Sequence, residues 1–190
     1  MIPLEPDKFY HIYNRANGNE RIFLNKANYE FFLQKYQQHI EPIAETFCYC
    51  LMPNHFHLLI RIRSSEEIEF SGPSEKGGLS CSKKFSNFFS SYAQAFNKQQ
   101  GRMGSLFMKN FKRKEVDSDK YKYQLIHYIH HNPIEAGLSH KLEEWPFSSY
   151  TRIISDGPGF INKEAVLNWY DGKENFEKVH LRTCPYDLLE

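Results

Sequence analysis

The chain has 190 residues, 41% of them hydrophobic and 16% aromatic, which suits one folded core and excludes a disordered polypeptide. No apolar run approaches the roughly 20 residues of a membrane span, and the N-terminal MIPLEPDKFYH carries acids and no apolar signal core, so neither a membrane anchor nor a secretory signal is expected. The net charge of +1 hides an asymmetry: from Lys76 to Lys114 there is no acid, while Lys76, Lys83, Lys84, Lys98, Arg102, Lys109, Lys112, Arg113 and Lys114 are all basic. A basic block on a neutral chain points to a polyanion-binding face rather than a merely solvated surface, where acids intersperse.

In chain order, KFYHIYNR (residues 8–15) alternates in part and reads as a first strand. Asn25 can cap a helix over Lys26–Ile40, whose Tyr29, Phe32, Leu33 and Tyr36 fall at helical spacing. Residues 43–51 read as a second strand and 55–63 as a third, joined by the short MPN link of a hairpin. Residues 64–80 are polar and rich in Ser and Gly, which predicts a long loop. A second helix is expected over Ser82–Gln99, where Phe85, Phe88, Phe89, Tyr92 and Phe96 make an aromatic stripe that reads as core. Lys112–Val116 is an expected edge strand. A third helix, capped by Asp117 or Ser118, is expected from Asp119 to about His131, with Pro133 stopping it and Gly137 after the turn. The order β-α-β-β-α-β-α predicts an α+β sandwich, ferredoxin-like or RRM-like, with helices on one antiparallel sheet. Residues 142–190 are less regular. Cys48, Cys50, Cys81 and Cys184 form no CxxC pair; Cys48 and Cys50 share a strand face, as reduced core residues in a cytoplasmic protein would.

Two stretches carry chemistry. In MPNHFHLLI (residues 52–60), His55 and His57 project from one strand face while Phe56 points into a core. Such a pair can share a metal ion but supplies too few ligands alone, and it is more often the pattern of two hydrogen-bonded strand histidines. In the third helix, Tyr121, Leu125, Tyr128 and Asn132 are spaced by four, three and four and share a face. If the histidines lie opposite, the Asn132 amide oxygen can complete a facial metal site, and a polarised phosphate there could be attacked by the Tyr128 hydroxyl. A tyrosine at this spacing is otherwise core or rim. His127, His130 and His131 on the same helix read mainly as structural or DNA-contacting residues.

FYHIYNR, YCLMPNHFHLLI, FNKQQGRMGSLFMKNFK, YIHHNPIEAGL and WPFSSY occur in this order across residues 8–150. In them the chain resembles the REP-associated tyrosine transposases, a branch of the single-tyrosine HUH transposases. HUH denotes histidine, bulky hydrophobic, histidine, here His55-Phe56-His57. The resemblance implies a metal-dependent DNA strand transferase whose nucleophile is Tyr128. It implies Mg²⁺ or Mn²⁺ on His55, His57 and Asn132, the last replacing a glutamine of related insertion-sequence enzymes. The implied product is a 5′-phosphotyrosine with a free 3′-hydroxyl, and the implied substrate is single-stranded or hairpin DNA. Phosphates would meet Lys83, Lys84, Arg102, Lys109, Lys112 and Arg113. No small-molecule cofactor is implied, and a homodimer exchanging its catalytic helices is left open. Residues 1–150 would form the catalytic domain, with residues 151–190 an extension packed on it. Two other functions fit parts of the pattern: a non-catalytic single-strand-binding module, and a metal-dependent phosphodiesterase using water.

Overall fold

The structure, a computed structural model, describes residues 2–18, 20–68 and 77–182, with backbone alone for 77–80. Lys76, Cys184 and residues 69–76 of the expected loop lie outside the described residues.

Four strands, β1 (Phe9–Arg15), β2 (Ala44–Met52), β3 (His55–Ile62) and β4 (Lys112–Glu115), form one antiparallel sheet in the order β2-β3-β1-β4. This is the α+β, ferredoxin-like arrangement expected from the element order. The β2–β3 hairpin turns at Pro53 and Asn54. Helix α1 (Lys26–Ile40) begins where Asn25 Oδ1 accepts the Asn28 N–H at 3.1 Å. Helix α2 (Gly77–Gln100) brings Phe85, Phe88, Phe89, Tyr92 and Phe96 inward, all buried. Phe32 of α1 and Phe89 of α2 both pack on Phe56, which fixes these helices to the sheet face that Phe56 occupies.

Two boundaries differ from expectation. Helix α2 begins at Gly77 rather than Ser82; Gly and Ser are poor helix formers, so the sequence pattern conceals its first turn. Helix α3 spans Asp119–Glu135 with Pro133 inside it. Proline removes a single N–H, so the ladder loses one bond and closes beyond it. Ala136 N–H reaches Asn132 O at 3.0 Å and Leu138 N–H reaches Pro133 O at 2.8 Å. Gly137, at φ 66°, then takes the left-handed turn that ends the helix.

Helix α3 lies on the sheet face opposite α1 and α2, where Tyr128 meets His57 with ring centroids 5.3 Å apart. After it come a 3₁₀ turn (Leu142–Glu144) and three short helices, α4 (Tyr150–Ile154), α5 (Lys163–Trp169) and α6 (Lys173–His180). The segment before and after α4 runs along β2: Leu51 N–H binds Phe147 O, Tyr49 N–H binds Ser149 Oγ and Asn162 N–H binds Thr46 O. Those bonds cover one edge of the sheet, and the opposite edge, β4, is four residues long and rich in charge, so neither invites a foreign strand. Cys48, Cys50 and Cys81 are buried free thiols. Among the described residues no helix is long and apolar enough to cross a membrane.

Candidate active site

The sheet register gathers the site from three strands. His57 is opposite Tyr13 of β1 and Cys50 of β2, and His55 is opposite Arg15 and Met52. With period-two alternation, His11, Tyr13, Arg15, His55 and His57 therefore share the face on which α3 sits. Rings of His55 and His57 stand edge to face at 5.2 Å, and His57 meets Tyr128 in the same manner. The space between them is a cavity of about 540 Å³, lined also by Asn14, Asn54, Met108 and Lys112, a size suited to a small ligand or a nucleotide.

Hydrogen bonds fix how the side chains face that cavity. Asn132 Nδ2 donates to the Tyr128 carbonyl at 3.0 Å, so its Oδ1 is turned toward His55 Nε2, 3.4 Å away. His55 Nδ1 lies 2.7 Å from Asn54 Oδ1. Both amide oxygens only accept, and the shorter contact, to Asn54, favours the proton on Nδ1, which leaves a lone pair on Nε2. Two acceptors, His55 Nε2 and Asn132 Oδ1, thus face each other. His57 is held likewise: its Nδ1 lies 2.9 Å from Nε2 of buried His11.

Burial keeps these rings neutral. It pushes His57 well below the ordinary imidazole value, with His11 and His55 adding to the effect. Burial also lowers His55; the facing Asn132 oxygen favours the protonated ring and opposes this, and the Arg15 charge adds to it. His11 is pushed down to about 3 by burial and then by the Lys114 charge. Neutral imidazoles with converging acceptor atoms are what a divalent cation requires of its ligands. Among the described residues no three His, Cys, Asp or Glu side chains form a metal set; the candidate set here is two histidines completed by an amide.

The basic residues do not form one patch. Lys112, exposed, borders the cavity. Lys109 and Arg113 border a neighbouring groove of about 560 Å³ that shares Asn14 and Met108 with the cavity. Arg113 stacks over Phe111 at 4.7 Å and donates to Ser82 Oγ at 2.8 Å. Arg102 is paired with Glu20 and hydrogen-bonded to Asn97. Lys84 lies on the α1 side, where burial and then the charges of Lys35 and Lys84 lower the His39 pKa, and Lys83 is exposed. His127, His130 and His131 turn away from the cavity: His127 donates to Arg182 O, His131 to His180 O, and His130 meets His180 and Ser149.

Sequence reasoning passed over His11, Tyr13, Arg15 and Asn54. The alternation of KFYHIYNR places His11, Tyr13 and Arg15 on one face, yet only the strand order shows that this face adjoins the histidine pair.

No family model matches the chain. A Haemophilus influenzae protein provisionally named a REP-associated tyrosine transposase is 25% identical over 129 residues, spanning 65% of this chain and 69% of that protein. An Escherichia coli N5-carboxyaminoimidazole ribonucleotide synthase is 29% identical over 58 residues, 16% of that protein, too short a stretch to carry an argument. A solved structure of a REP-associated tyrosine transposase bound to a REP hairpin aligns with 83% of this chain and 84% of that one, with a TM-score of 0.57 and 15% identity. The chain is thus similar in sequence to the one protein and in fold to the other, each named as a REP-associated tyrosine transposase.

Proposed function

We propose that the chain is a transposase that cuts and rejoins hairpin-forming, REP-like single-stranded DNA, with Tyr128 as its nucleophile. The observation that carries this reading is the meeting of Tyr128 with His57 beside the facing acceptors of His55 and Asn132. The name of the sequence relative and the hairpin bound by the structural relative support the substrate class.

His55, His57 and Asn132 would hold Mg²⁺ or Mn²⁺; two imidazoles favour Mn²⁺, and phosphate oxygens suit either ion. When bound, the ion supplies Lewis-acid polarisation of a phosphate oxygen. Around it, the chain's own groups orient the reaction. Lys112 and Arg15 line the cavity and would hold backbone phosphates of the bound strand. The Tyr128 oxygen attacks phosphorus and loses its proton, the bond from phosphorus to the 3′ oxygen breaks, and that oxygen leaves as a 3′-hydroxyl after taking up a proton. The 5′-phosphotyrosine keeps the phosphodiester energy, so a 3′-hydroxyl can reverse the step without a nucleotide triphosphate. Tyrosine ordinarily titrates near 10, so placement against the reacting phosphate, rather than bulk ionisation, carries much of the rate.

The test is a labelled single-stranded REP hairpin incubated with Mn²⁺ or Mg²⁺. Wild type is expected to give a denaturant-resistant protein–DNA adduct, absent in Tyr128→Phe and abolished by chelator. Cleavage that survives Tyr128→Phe would make water the nucleophile and the chain a phosphodiesterase. Hairpin binding without cleavage in either metal would make it a binding module.

A further inference from the structure

The two cavity histidines are each backed by a second side chain, and the backing of His57 is unusual. His55 presents Nδ1 to Asn54 Oδ1 at 2.7 Å, a shorter contact than the 3.4 Å from its Nε2 to Asn132 Oδ1, which favours the Nδ1–H tautomer. His57 presents Nδ1 to another imidazole, Nε2 of His11, at 2.9 Å, with the rings stacked at 5.1 Å. One proton lies between these nitrogens. If it belongs to His57, the Nε2 lone pair of His57 faces the cavity; if it belongs to His11, His57 carries its hydrogen on Nε2 and cannot coordinate there.

We propose that His11 is a positioning residue that holds His57 as its Nδ1–H tautomer by accepting that proton's hydrogen bond. His11 is buried on the central strand β1, and Tyr13 stacks on it at 4.6 Å, so its acceptor atom is placed rigidly behind His57. Without an acceptor at that point the His57 Nδ1–H would be buried and unpaired, and the ring would gain by shifting its proton to Nε2, toward the cavity. The arrangement parallels the carboxylates and carbonyls that commonly orient ligand histidines, with a neutral imidazole in their place. Asn54 and His11 together then leave two nitrogens without protons, beside the Asn132 oxygen. The inference deepens the metal reading above and rests on it for its purpose, while the tautomer itself is measurable without metal.

Two variants separate acceptor from bulk. His11→Gln keeps an acceptor oxygen within reach of His57, and His11→Phe keeps a flat ring with none. Ring nitrogen chemical shifts of His57 in metal-free protein are expected to show Nδ1–H in wild type and His11→Gln, and Nε2–H or a mixture in His11→Phe. Mn²⁺ titration is expected to show affinity roughly 10- to 100-fold weaker for His11→Phe, with most of it restored in His11→Gln; a thermal melt confirms that both variants are folded. A His57 ring already protonated on Nε2 in wild type would overturn the proposal, as would an unaltered tautomer and Mn²⁺ affinity in His11→Phe. Failure of wild type to bind Mn²⁺ would remove the metal reading, and the nitrogen shifts would then decide the role of His11 alone.

Discussion

Two sets of histidines flank helix α3, one on the sheet beneath it and one between it and α6, and their hydrogen bonds end in different ways. On its far side from the cavity, His180 Nδ1–H donates to Phe176 O at 2.8 Å, which leaves His180 Nε2 to accept from His130 Nδ1–H at 2.9 Å. His130 Nε2 then accepts from the Ser149 hydroxyl, whose oxygen accepts from Tyr49 N–H. Every proton on that path is committed between protein atoms. On the cavity side, the path through Asn54 to His55 stops at a lone pair, and so does the path through His11 to His57 when His11 is the acceptor, as proposed above. His57 and His11 on one side and His130 and His180 on the other are all buried, and burial lowers the pKa of each. Burial and residue type therefore do not separate a structural histidine from a candidate ligand; the atom at the end of its hydrogen-bond chain does.

Substitutions should pull the two sets apart. The largest effect is expected for His55→Ala, which should lower strand cleavage on the order of 10³-fold, the scale of losing charge stabilisation at a reacting centre. Its melting temperature should stay near that of wild type, because the ring borders an open cavity. His180→Leu should do the reverse. It strands the buried His130 Nδ1–H and should cost about 3 kcal/mol of stability, with cleavage below the melting temperature changed only a few-fold. Equal loss of stability in both variants would erase the distinction.

Acid provides the next test. Burial holds His127 at about 4 and His180 at about 3, below the ordinary imidazole value near 6.5. The unfolded chain therefore binds more protons than the folded one below pH 6.5. Their stabilising contribution is present above that pH and is lost as pH falls toward 4, with each ring adding a slope of up to about 1.4 kcal/mol per pH unit. Denaturant melts between pH 7 and pH 4.5 should show this decline in wild type and a shallower one in His180→Leu. The smallest effect is expected for Lys112→Ala: hairpin binding a few-fold weaker, and a logarithmic salt dependence reduced by about one. An unchanged salt slope would place Lys112 off the DNA path.

Much of this was legible in the chain. The Asn25 cap, the aromatic stripe of α2, the MPN hairpin and the shared face of His55 and His57 follow from local chemistry, and each stands where the pattern placed it. The match of Tyr128 and Asn132 to one helical face also needed only helical spacing. What the pattern missed depends on contacts distant in sequence. His11 becomes meaningful because β1 pairs with β3, and His180 because α6 returns to α3, fifty residues after His130. Pro133 misled because a proline near a helix end removes one bond that the following residues replace.

The join between β4 and α3 sets a boundary on how copies of the chain can cooperate. Val116 N–H is still bonded to Phe9 O of β1, and Ser118 already caps α3 by accepting from Tyr121 N–H, so Asp117 alone is uncommitted between sheet and helix. One residue spans no more than about 3.6 Å. The tyrosine helix meets the histidines of its own chain, and a join this short favours catalysis within one copy. Inactive copies should therefore not be mutually rescuable: Tyr128→Phe mixed with His55→Ala is expected to yield no more adduct than either alone, and a cell holding one intact copy among many broken ones would keep that copy's full activity.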